Sequence, residues 1–254
     1  MKNRFVMPPR VGQTGEQYVQ GFSTYSEYNY LAPNLSSRIK RRHFDIALEM
    51  TAGDFHRGSV LDYGCADGVF LPSLSRYFPF VAGVDAHRPF VKLAQQVVTA
   101  ARLANARLLC NEGLSHGEAA AILGRRFDII YLLEIMEHIG DRNRMYESKI
   151  EFLKSLEPLM APDGKLVISV PKMAGPIFLL QRLGLWGLRL EREELSWGDL
   201  FRAGLLADTS ALETRWENHL HLGFNQYAFH RHLKKEFNVL RVWNDLFQVV
   251  YLLR

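Results

Sequence analysis

The sequence is poor in cysteine and has no long apolar run. Its 254 residues contain two cysteines, Cys65 and Cys110. We place both at the predicted ends of neighbouring strands and expect two small buried side chains. We expect no disulfide between them, because the protein would lie in a reducing compartment. No apolar stretch reaches the roughly 20 residues that a membrane-spanning helix requires. These absences argue against the disulfide-stapled and membrane-spanning classes and predict a cytoplasmic protein.

A targeting segment and a dense basic tract are also missing. No sustained apolar region follows Lys2 and Arg4 before Pro8 and Pro9, so we expect no cleaved signal peptide. The formal net charge of +4 is small and permits an acidic ligand or a membrane surface without requiring either. The lack of aromatic-basic repeats argues against nucleic acid as a partner.

Length and composition predict one substantial core. A hydrophobic content of 48% with 23% charged residues is ordinary for a globular protein of this size. We expect residues 1–57 to form an N-terminal lid and a helix packed on the core. Residues 58–254 would form the main domain, in which residues 172–222 break the pattern and form a helical insertion on the substrate side.

Short apolar runs alternate with helical patterns through the middle of the chain. Predicted strands begin at Ser59 and then cover residues 80–84, 107–110, 127–133 and 165–170, with helices between them. This alternation predicts an α/β fold with right-handed crossovers and a parallel sheet covered on both faces. Helices are predicted over residues 141–159 and 196–217, and Asn225 is predicted to cap another that runs to about Glu236. Two further β-rich runs occupy residues 237–243 and 246–253.

A glycine-bounded loop follows the first predicted strand in the sequence SVLDYGCADGVF. Gly64 and Gly68 permit a tight turn, and the next helix would direct its free N–H groups at a bound ligand. The dinucleotide pattern G-x-G-x-x-G is absent, since Ala66 and Asp67 occupy the middle of the loop. An acid is a poor neighbour for a diphosphate, so the loop favours another nucleotide-like ligand over a nicotinamide cofactor.

Acidic residues follow four successive predicted strands: Asp62, Asp85, Glu112 and Glu134. Because the carboxyl ends of parallel strands meet at one edge of the sheet, we expect these side chains to surround one crevice. Asp85 has an alternative role as a solvated cap of the helix that Pro89 opens.

The segment LDYGCADG resembles the first motif of the class I S-adenosylmethionine-dependent methyltransferases, which reads roughly L-D-x-G-C-G-x-G. Ala66 and Asp67 depart from that motif, but four further segments fall in register, and the resemblance covers roughly residues 58–172. It implies a Rossmann-like doubly wound sheet of seven strands with a final antiparallel hairpin, an N-terminal helical lid and a helical insertion after the fifth strand. It also implies S-adenosylmethionine as the cofactor.

The resemblance assigns roles to the acids. Asp62 would lie near the methionine amino group, Asp85 would accept hydrogen bonds from both ribose hydroxyls, and Glu112 would face the adenine amine. The predicted cofactor-binding residues are Asp62, Gly64, Cys65, Ala66, Asp67, Gly68, Asp85, Ala86, Glu112, Gly113, Leu132 and Leu133.

Glu134, Glu137 and His138 form an E-x-x-E-H pattern after the fourth strand. It resembles a cluster of the ubiquinone-pathway O-methyltransferases and of the terminal 2'-O-methyltransferases of small RNAs, where a later histidine completes a divalent metal site. Here that histidine would be His219 or, in a poorer register, His221. Mg²⁺ or another divalent ion is thus a predicted ligand, and His138 and His219 are predicted catalytic bases. Alternatively, no metal binds and Glu137 only favours a helix N-terminus.

Two segments allow more than one interpretation. The aromatic-rich N-terminus, which includes Tyr18, Phe22 and Tyr25, would form a lid over the cofactor or only cover a helix face. Residues 176–192 would contact a membrane peripherally, line a pocket for an apolar substrate, or pack on the core as a lid helix.

The resulting hypothesis is a methyltransferase that acts on a hydroxyl of a small aromatic, quinone-like or sugar-containing acceptor. The preference for oxygen comes from the E-x-x-E-H resemblance alone, so N- or C-methylation and RNA 2'-O-methylation stay open. A non-catalytic regulatory partner that binds S-adenosylmethionine is the alternative of another class. The sequence does not predict the oligomeric state.

Overall fold

The computed structural model describes residues 4–11, 24–187, 195–216 and 222–254. The chain divides into two compact units. The first comprises Met1–Leu133, Ser155–Ile168 and Leu252–Arg254, and the second comprises Glu134–Lys154 and Ser169–Tyr251. The domain boundaries at residues 57, 172 and 222 stay predictions.

The described residues form the strands β1 (Ser59–Tyr63), β2 (Phe80–Asp85), β3 (Ala106–Cys110), β4 (Phe127–Leu133), β5 (Met160–Pro171), β6 (Val239–Asn244) and β7 (Gln248–Leu253). The α-helices are α1 (Leu35–Lys40), α2 (Arg42–Met50), α3 (Leu71–Tyr77), α4 (Arg88–Ala100), α5 (His116–Leu123), α6 (Met145–Ser155), α7 (Pro176–Gly187), α8 (Trp197–Leu205), α9 (Ser210–Glu213) and α10 (Gln226–Glu236). Among the described helices, none is long and apolar enough to cross a membrane.

The seven strands form one sheet in the order β3-β2-β1-β4-β5-β7-β6. β1 is parallel to both β2 and β4, and β2 is parallel to β3. The predicted Rossmann-like α/β sheet with its closing antiparallel hairpin is therefore confirmed. Strand order reverses next to β1, which is where open α/β sheets place their ligands.

The strand order corrects the prediction for the cysteines. β2 lies between β1 and β3, so Cys65 and Cys110 do not follow neighbouring strands. Both are free thiols, and Cys65 is buried whereas Cys110 is only half-buried. Order along the chain did not give order in the sheet, because the crossover helices allow a strand to be placed on either side of β1.

Local sequence explains where several helices begin. Pro89 lies in the first turn of α4, where its missing N–H is not needed. Ser115 and Glu118 form a capping box at the start of α5. The side chain of Asn225 accepts hydrogen bonds from two backbone N–H groups at the start of α10, as predicted.

Two predicted helices are shorter in the structure. The segment expected to be one helix over residues 141–159 contains α6 between two short 3₁₀ turns, and Pro158 lies in the second of these. The helix expected over residues 196–217 is divided into α8 and α9, and Ala207 between them has a positive φ of 51°.

An aromatic cluster connects the N-terminal residues of the first unit with its core. The ring centroids lie 5.1 Å apart for Tyr30 and Phe44, 4.8 Å for Phe44 and Phe70, and 5.4 Å for Phe70 and Tyr131. Each such pair contributes about 0.5–1.5 kcal/mol beyond the burial of apolar area. The cluster therefore holds Tyr30, through Phe44, against Phe70, which follows the glycine loop.

Candidate functional site

The glycine loop of the first unit is a tight turn bound to the end of β2. The backbone N–H groups of Gly64 and Cys65 both donate to the carbonyl oxygen of Val84, at 2.8 and 2.9 Å. Gly64, Ala66 and Gly68 have positive φ angles of 74°, 46° and 83°. A left-handed alanine is uncommon and carries strain, so the surrounding contacts must hold this turn in place.

Gly68 is required for close packing as well as for its φ angle. A Cβ atom at this position would lie 3.1 Å from the Cα of Ala94 in α4. Since backbone cannot yield as a flexible side chain can, any larger residue would push the loop away from α4.

Asp62 is buried at the end region of β1, with a relative exposure of 4%. Its Oδ2 atom has no hydrogen-bond partner. Burial and then the negative charge of Asp85 raise the pKa of Asp62 to about 7. A buried carboxylate oxygen without a partner is costly, so this atom is suited to a ligand that brings a donor or a positive charge.

Asp85 interacts with two backbone N–H groups. Its Oδ2 accepts a hydrogen bond of 3.0 Å from Ala66, and its Oδ1 accepts one of 2.8 Å from His87. Burial raises the pKa of Asp85, while these two bonds oppose that shift. Each oxygen keeps a second lone pair, so the carboxylate can still accept from hydroxyl groups.

Asp67 has a role that the sequence did not reveal. Its carboxylate accepts hydrogen bonds from the backbone N–H of Ser26, at 2.7 Å, and from the Ser26 hydroxyl. Only 1% of Asp67 is exposed. Both carboxylate oxygens therefore contact the N-terminal segment. The predicted contact of Asp67 with the cofactor would then be made by its backbone, and it stays a prediction.

Polar residues also follow β3. Glu112 is exposed over 64% of its side chain, and its Oε2 lies 3.9 Å from a guanidinium nitrogen of Arg88. Its predicted contact with adenine stays a prediction. Asn111 donates from its backbone N–H to the Asp85 carbonyl at 3.1 Å and from Nδ2 to the Tyr63 hydroxyl at 3.2 Å. The buried Oδ1 of Asn111 has no partner.

Other predicted cofactor residues lie around this turn or at the next strand end. Leu132 and Leu133 end β4, with Leu132 fully buried and Leu133 half-buried. Ala86 follows β2, and its carbonyl accepts a weak contact of 3.7 Å from the Cys110 thiol. Gly113 has a positive φ of 74°. The roles of these residues stay predictions.

In the second unit, Glu134 begins the E-x-x-E-H segment in a strained conformation, with φ of 56°. Ser169 stabilises it. The backbone N–H of Glu134 donates to the carbonyl and hydroxyl oxygens of Ser169, at 3.1 and 3.0 Å, and the Ser169 hydroxyl donates to Glu134 Oε1 at 2.8 Å. A strained non-glycine residue at a strand end is typical of functional sites.

Glu137 is completely buried, and neither of its carboxyl oxygens has a hydrogen-bond partner. Burial and then the charge of Glu134 raise its pKa, while Lys149 opposes the shift. Burial lowers the pKa of Lys149 to about 7. The Lys149 ammonium donates to the Ile139 carbonyl and lies 4.8 Å from the ring centroid of Trp216, whose Nε1 donates to the Glu137 carbonyl at 3.0 Å.

The predicted metal ligands do not form a complete set in the structure. Within residues 4–11, 24–187, 195–216 and 222–254, no three His, Cys, Asp or Glu side chains are arranged to hold a metal ion. His219 and His221 lie outside the described residues. The described residues alone do not fit a divalent ion, so the metal stays a prediction and we derive no step through it.

Comparison with known proteins identifies the fold. Residues 35–209, more than half of the chain, match the family described as "Methyltransferase domain". The chain belongs to this family. The resemblance that rested on the LDYGCADG loop is thereby confirmed for the methyltransferase family.

Curated relatives of this methyltransferase-domain chain match its middle part. The "Ubiquinone biosynthesis O-methyltransferase" of Bartonella quintana (strain Toulouse) is 31% identical over 101 residues, which are 40% of this chain and 39% of the relative. The mitochondrial protein of the same description from Schizosaccharomyces pombe is 30% identical over 115 residues, 45% of this chain and 38% of the relative. The chain thus spans less than half the length of these relatives.

Solved structures of methyltransferases share the fold. An S-adenosylmethionine-dependent methyltransferase from Clostridium acetobutylicum aligns with a TM-score of 0.56 at 14% identity, over 85% of this chain and 91% of that one. The N-methyltransferase NodS from Bradyrhizobium japonicum, in complex with S-adenosyl-L-homocysteine, aligns with a TM-score of 0.52 at 15% identity, over 88% and 89%. At these identities the likeness shows the fold alone.

Lys149 is a site residue that sequence reasoning missed although a signal was present. It lies four residues after Met145 and four before Leu153, so it occupies the apolar stripe of α6, and all three are buried. A lysine at such a position predicts a buried partner. Ser26 gave no comparable signal, because its partner Asp67 is distant in sequence.

The insertion of the methyltransferase-domain chain exposes several large apolar side chains. Trp186 in α7 and Trp197 in α8 are 62% and 64% exposed, and their ring centroids lie 5.4 Å apart. Arg189 and Arg192, like Tyr18 and Phe22 of the predicted lid, lie outside the described residues. Peripheral membrane contact through residues 176–192 stays a prediction, which flotation with phospholipid vesicles would test.

Proposed function

We propose that this protein is an enzyme that binds S-adenosylmethionine and transfers its methyl group to a hydroxyl of a small aromatic, quinone-like or sugar-containing acceptor. The buried Oδ2 of Asp62 is the observation on which the cofactor rests most directly. A carboxylate oxygen that lacks a partner at the end of the central parallel strand is suited to an ammonium group.

The neighbouring groups fit the rest of such a cofactor. The Asp85 carboxylate, oriented by Ala66 and His87, would accept from the two ribose hydroxyls. Asn111 carries an unpartnered Oδ1 near the end of β3, where an adenine would lie. The positive φ angles of Gly64 and Gly68 permit the tight turn whose backbone would lie against the ligand.

Bound S-adenosylmethionine would supply an electrophilic methyl group on a sulfonium. The task left to the protein is to hold the acceptor oxygen in line with that methyl and to accept the hydroxyl proton. The resemblance of the E-x-x-E-H pattern assigns this proton to the imidazole of His138 or of His219.

The choice of oxygen as acceptor rests on two supports. Relatives that are 30–31% identical over the matched part are described as ubiquinone biosynthesis O-methyltransferases. The E-x-x-E-H pattern at Glu134, Glu137 and His138 points to the same acceptor class by resemblance. Both supports are resemblances to other proteins that cover only part of this chain.

Calorimetry and a product assay test the proposal on the full chain. S-adenosylmethionine and S-adenosylhomocysteine are titrated into the protein, with NADH as the comparison ligand. The protein is then incubated with methyl-labelled cofactor and separate pools of catechols and hydroxyquinones, amines, and short RNAs. Binding together with labelled ethers from the first pool supports the proposal.

The other outcomes overturn defined parts of it. Labelled amines or labelled RNA would overturn the acceptor. Binding without turnover in any pool would favour a regulatory partner, and binding of NADH in place of S-adenosylmethionine would overturn the cofactor.

A further inference from the structure

We infer that Asp67 is a positioning residue that fastens residues 24–31, here called the N-terminal strap, to the glycine loop and so retains the bound cofactor. The inference rests on the proposed cofactor, because the glycine loop is its binding element. It gives a physical role to a residue that departs from the family motif.

The strap donates a hydrogen bond to each oxygen of the Asp67 carboxylate. Ser26 donates its backbone N–H to Oδ2 at 2.7 Å and its hydroxyl to Oδ1. Thr24 and Ser26 are each only 5% exposed, so water has little access to the contact. A buried carboxylate without a cation is stable only while such donors are in place. Removal of a donor while the strap stays in place would therefore leave the buried carboxylate poorly compensated.

The backbone of the glycine loop connects the contact between Asp67 and Ser26 to the predicted cofactor-binding residues. Asp67 is adjacent to Ala66, whose N–H donates to Asp85 Oδ2 at 3.0 Å. The strap and Asp85 therefore hold neighbouring peptide units of one strained turn, in which Ala66 has a φ of 46°. Loss of the strap contact would allow this turn to relax and would misorient the Asp85 carboxylate.

The strap is also fixed at a second point. Tyr30 is 5% exposed and packs against Phe44 of α2, and the Tyr25 and Tyr30 hydroxyls lie 3.4 Å apart. The Tyr25 ring is 6.0 Å from Phe90 of α4, the helix that follows Asp85. Aromatic packing alone would suffice to cover a helix face. The buried acid adds a connection to the cofactor loop, which a covering segment would not need.

Two substitutions with matched controls test the inference. Ser26→Ala removes the hydroxyl donor and keeps the backbone one, whereas Asp67→Asn removes the charge and one acceptor. Their controls are Ser36→Ala at an exposed serine and Asp163→Asn at an aspartate whose side chain is 86% exposed. The measurements are the dissociation rate of S-adenosylhomocysteine by stopped-flow fluorescence and hydrogen exchange of residues 24–31 with and without that ligand.

We expect each site variant to raise the dissociation rate about tenfold, and the double variant to raise it by clearly less than the product of the two effects, because both substitutions act on the Ser26–Asp67 contact. In the wild-type protein the ligand should protect residues 24–31 from exchange, and this protection should be lost in both variants. The controls should behave like the wild-type protein.

A contact of purely structural importance would give a different result. Ser26→Ala would then lower the melting temperature but leave the dissociation rate and the ligand-dependent protection unchanged, which would overturn the inference. If Asp67→Asn does not fold, Ser26→Ala decides alone. Failure of the wild-type protein to bind S-adenosylhomocysteine would instead overturn the proposed cofactor, and the inference with it.

Discussion

Asp62 carries a carboxyl group whose pKa is raised to about 7 by burial and then by the charge of Asp85, and its Oδ2 has no hydrogen-bond partner. In the free protein Asp62 is therefore protonated at mildly acidic pH. A ligand ammonium would favour the ionised form, because opposite charges at short distance lower the pKa of a carboxyl. Binding and ionisation of Asp62 should consequently be linked.

The first prediction is a pH dependence of cofactor binding. Below pH 7, bound S-adenosylhomocysteine must displace the Asp62 proton, so Kd should rise by up to about tenfold per pH unit as pH falls. Above pH 7 this dependence should disappear. Calorimetry in buffers of different ionisation enthalpy should detect about one proton released at pH 6 and almost none at pH 8. Asp62→Asn should bind weakly with no such dependence, and a pH-independent Kd in the wild-type protein would contradict the linkage.

The second prediction concerns the stability of the unliganded protein. Asp62 has a folded-state pKa of about 7, above the value of about 3.9 for an unfolded chain. The folded state therefore holds this proton more tightly, and stability is lost as pH rises towards 7. The Asp62→Asn variant has no such loss. The difference between its free energy of unfolding and that of the wild-type protein should therefore shift by about 2–3 kcal/mol in favour of the variant from pH 5 to pH 8. Urea unfolding at both pH values measures it, and an equal difference at both would contradict it.

The third prediction is that Asp85→Asn weakens cofactor binding by about tenfold or more. A carboxylate contributes about 1.5–3 kcal/mol through each hydrogen bond that it accepts, and the amide can no longer accept through both of its terminal atoms. The matched control is Glu236→Gln, an exposed acid of α10 that pairs with Lys154. Calorimetry with S-adenosylhomocysteine measures both variants, and an unchanged Kd for Asp85→Asn would remove Asp85 from the site.

The sequence predicted those parts of the site that depend on local pattern. The run from Ser59 to Phe70 determines a buried strand, a glycine turn and the approach to α3 within a few residues, and the structure has all three. Asp85 and Asn225 were likewise predictable, because a strand end and a helix cap are local features.

The remaining features depend on contacts between distant residues. Ser26 and Asp67 are 41 positions apart, and Trp216 and Glu137 are 79 positions apart. Neither pairing follows from spacing, because tertiary packing brings the residues together. The placement of Cys110 next to the strand of Cys65 was wrong for the same reason, since chain order does not determine strand order.

The fourth prediction is that His138→Ala abolishes methyl transfer while S-adenosylhomocysteine still binds. The imidazole is assigned to the acceptor proton, and general-base catalysis contributes about 10²–10⁴-fold to a rate. The control is His56→Asn, at an exposed histidine with a positive φ of 63° that asparagine tolerates. Product formation and calorimetry on the same samples separate the two effects. A parallel loss of binding would instead indicate damage to the fold.

The fifth prediction concerns the buried pair of the second unit. Lys149 and Glu137 are both 0% exposed, and each charge influences the pKa of the other. The charge of each group opposes the effect of burial on the pKa of the other, so Lys149→Met and Glu137→Gln should each lower the free energy of unfolding, by less than the roughly 3–5 kcal/mol that breaking a directly bonded buried ion pair costs. The double variant should cost clearly less than the sum of the two, because neither charged group is then left behind. Lys154→Met, at an exposed lysine of the same helix, should have almost no effect. Additive losses in urea unfolding would show that the two groups are stabilised independently, by Ile139 and by the surrounding backbone.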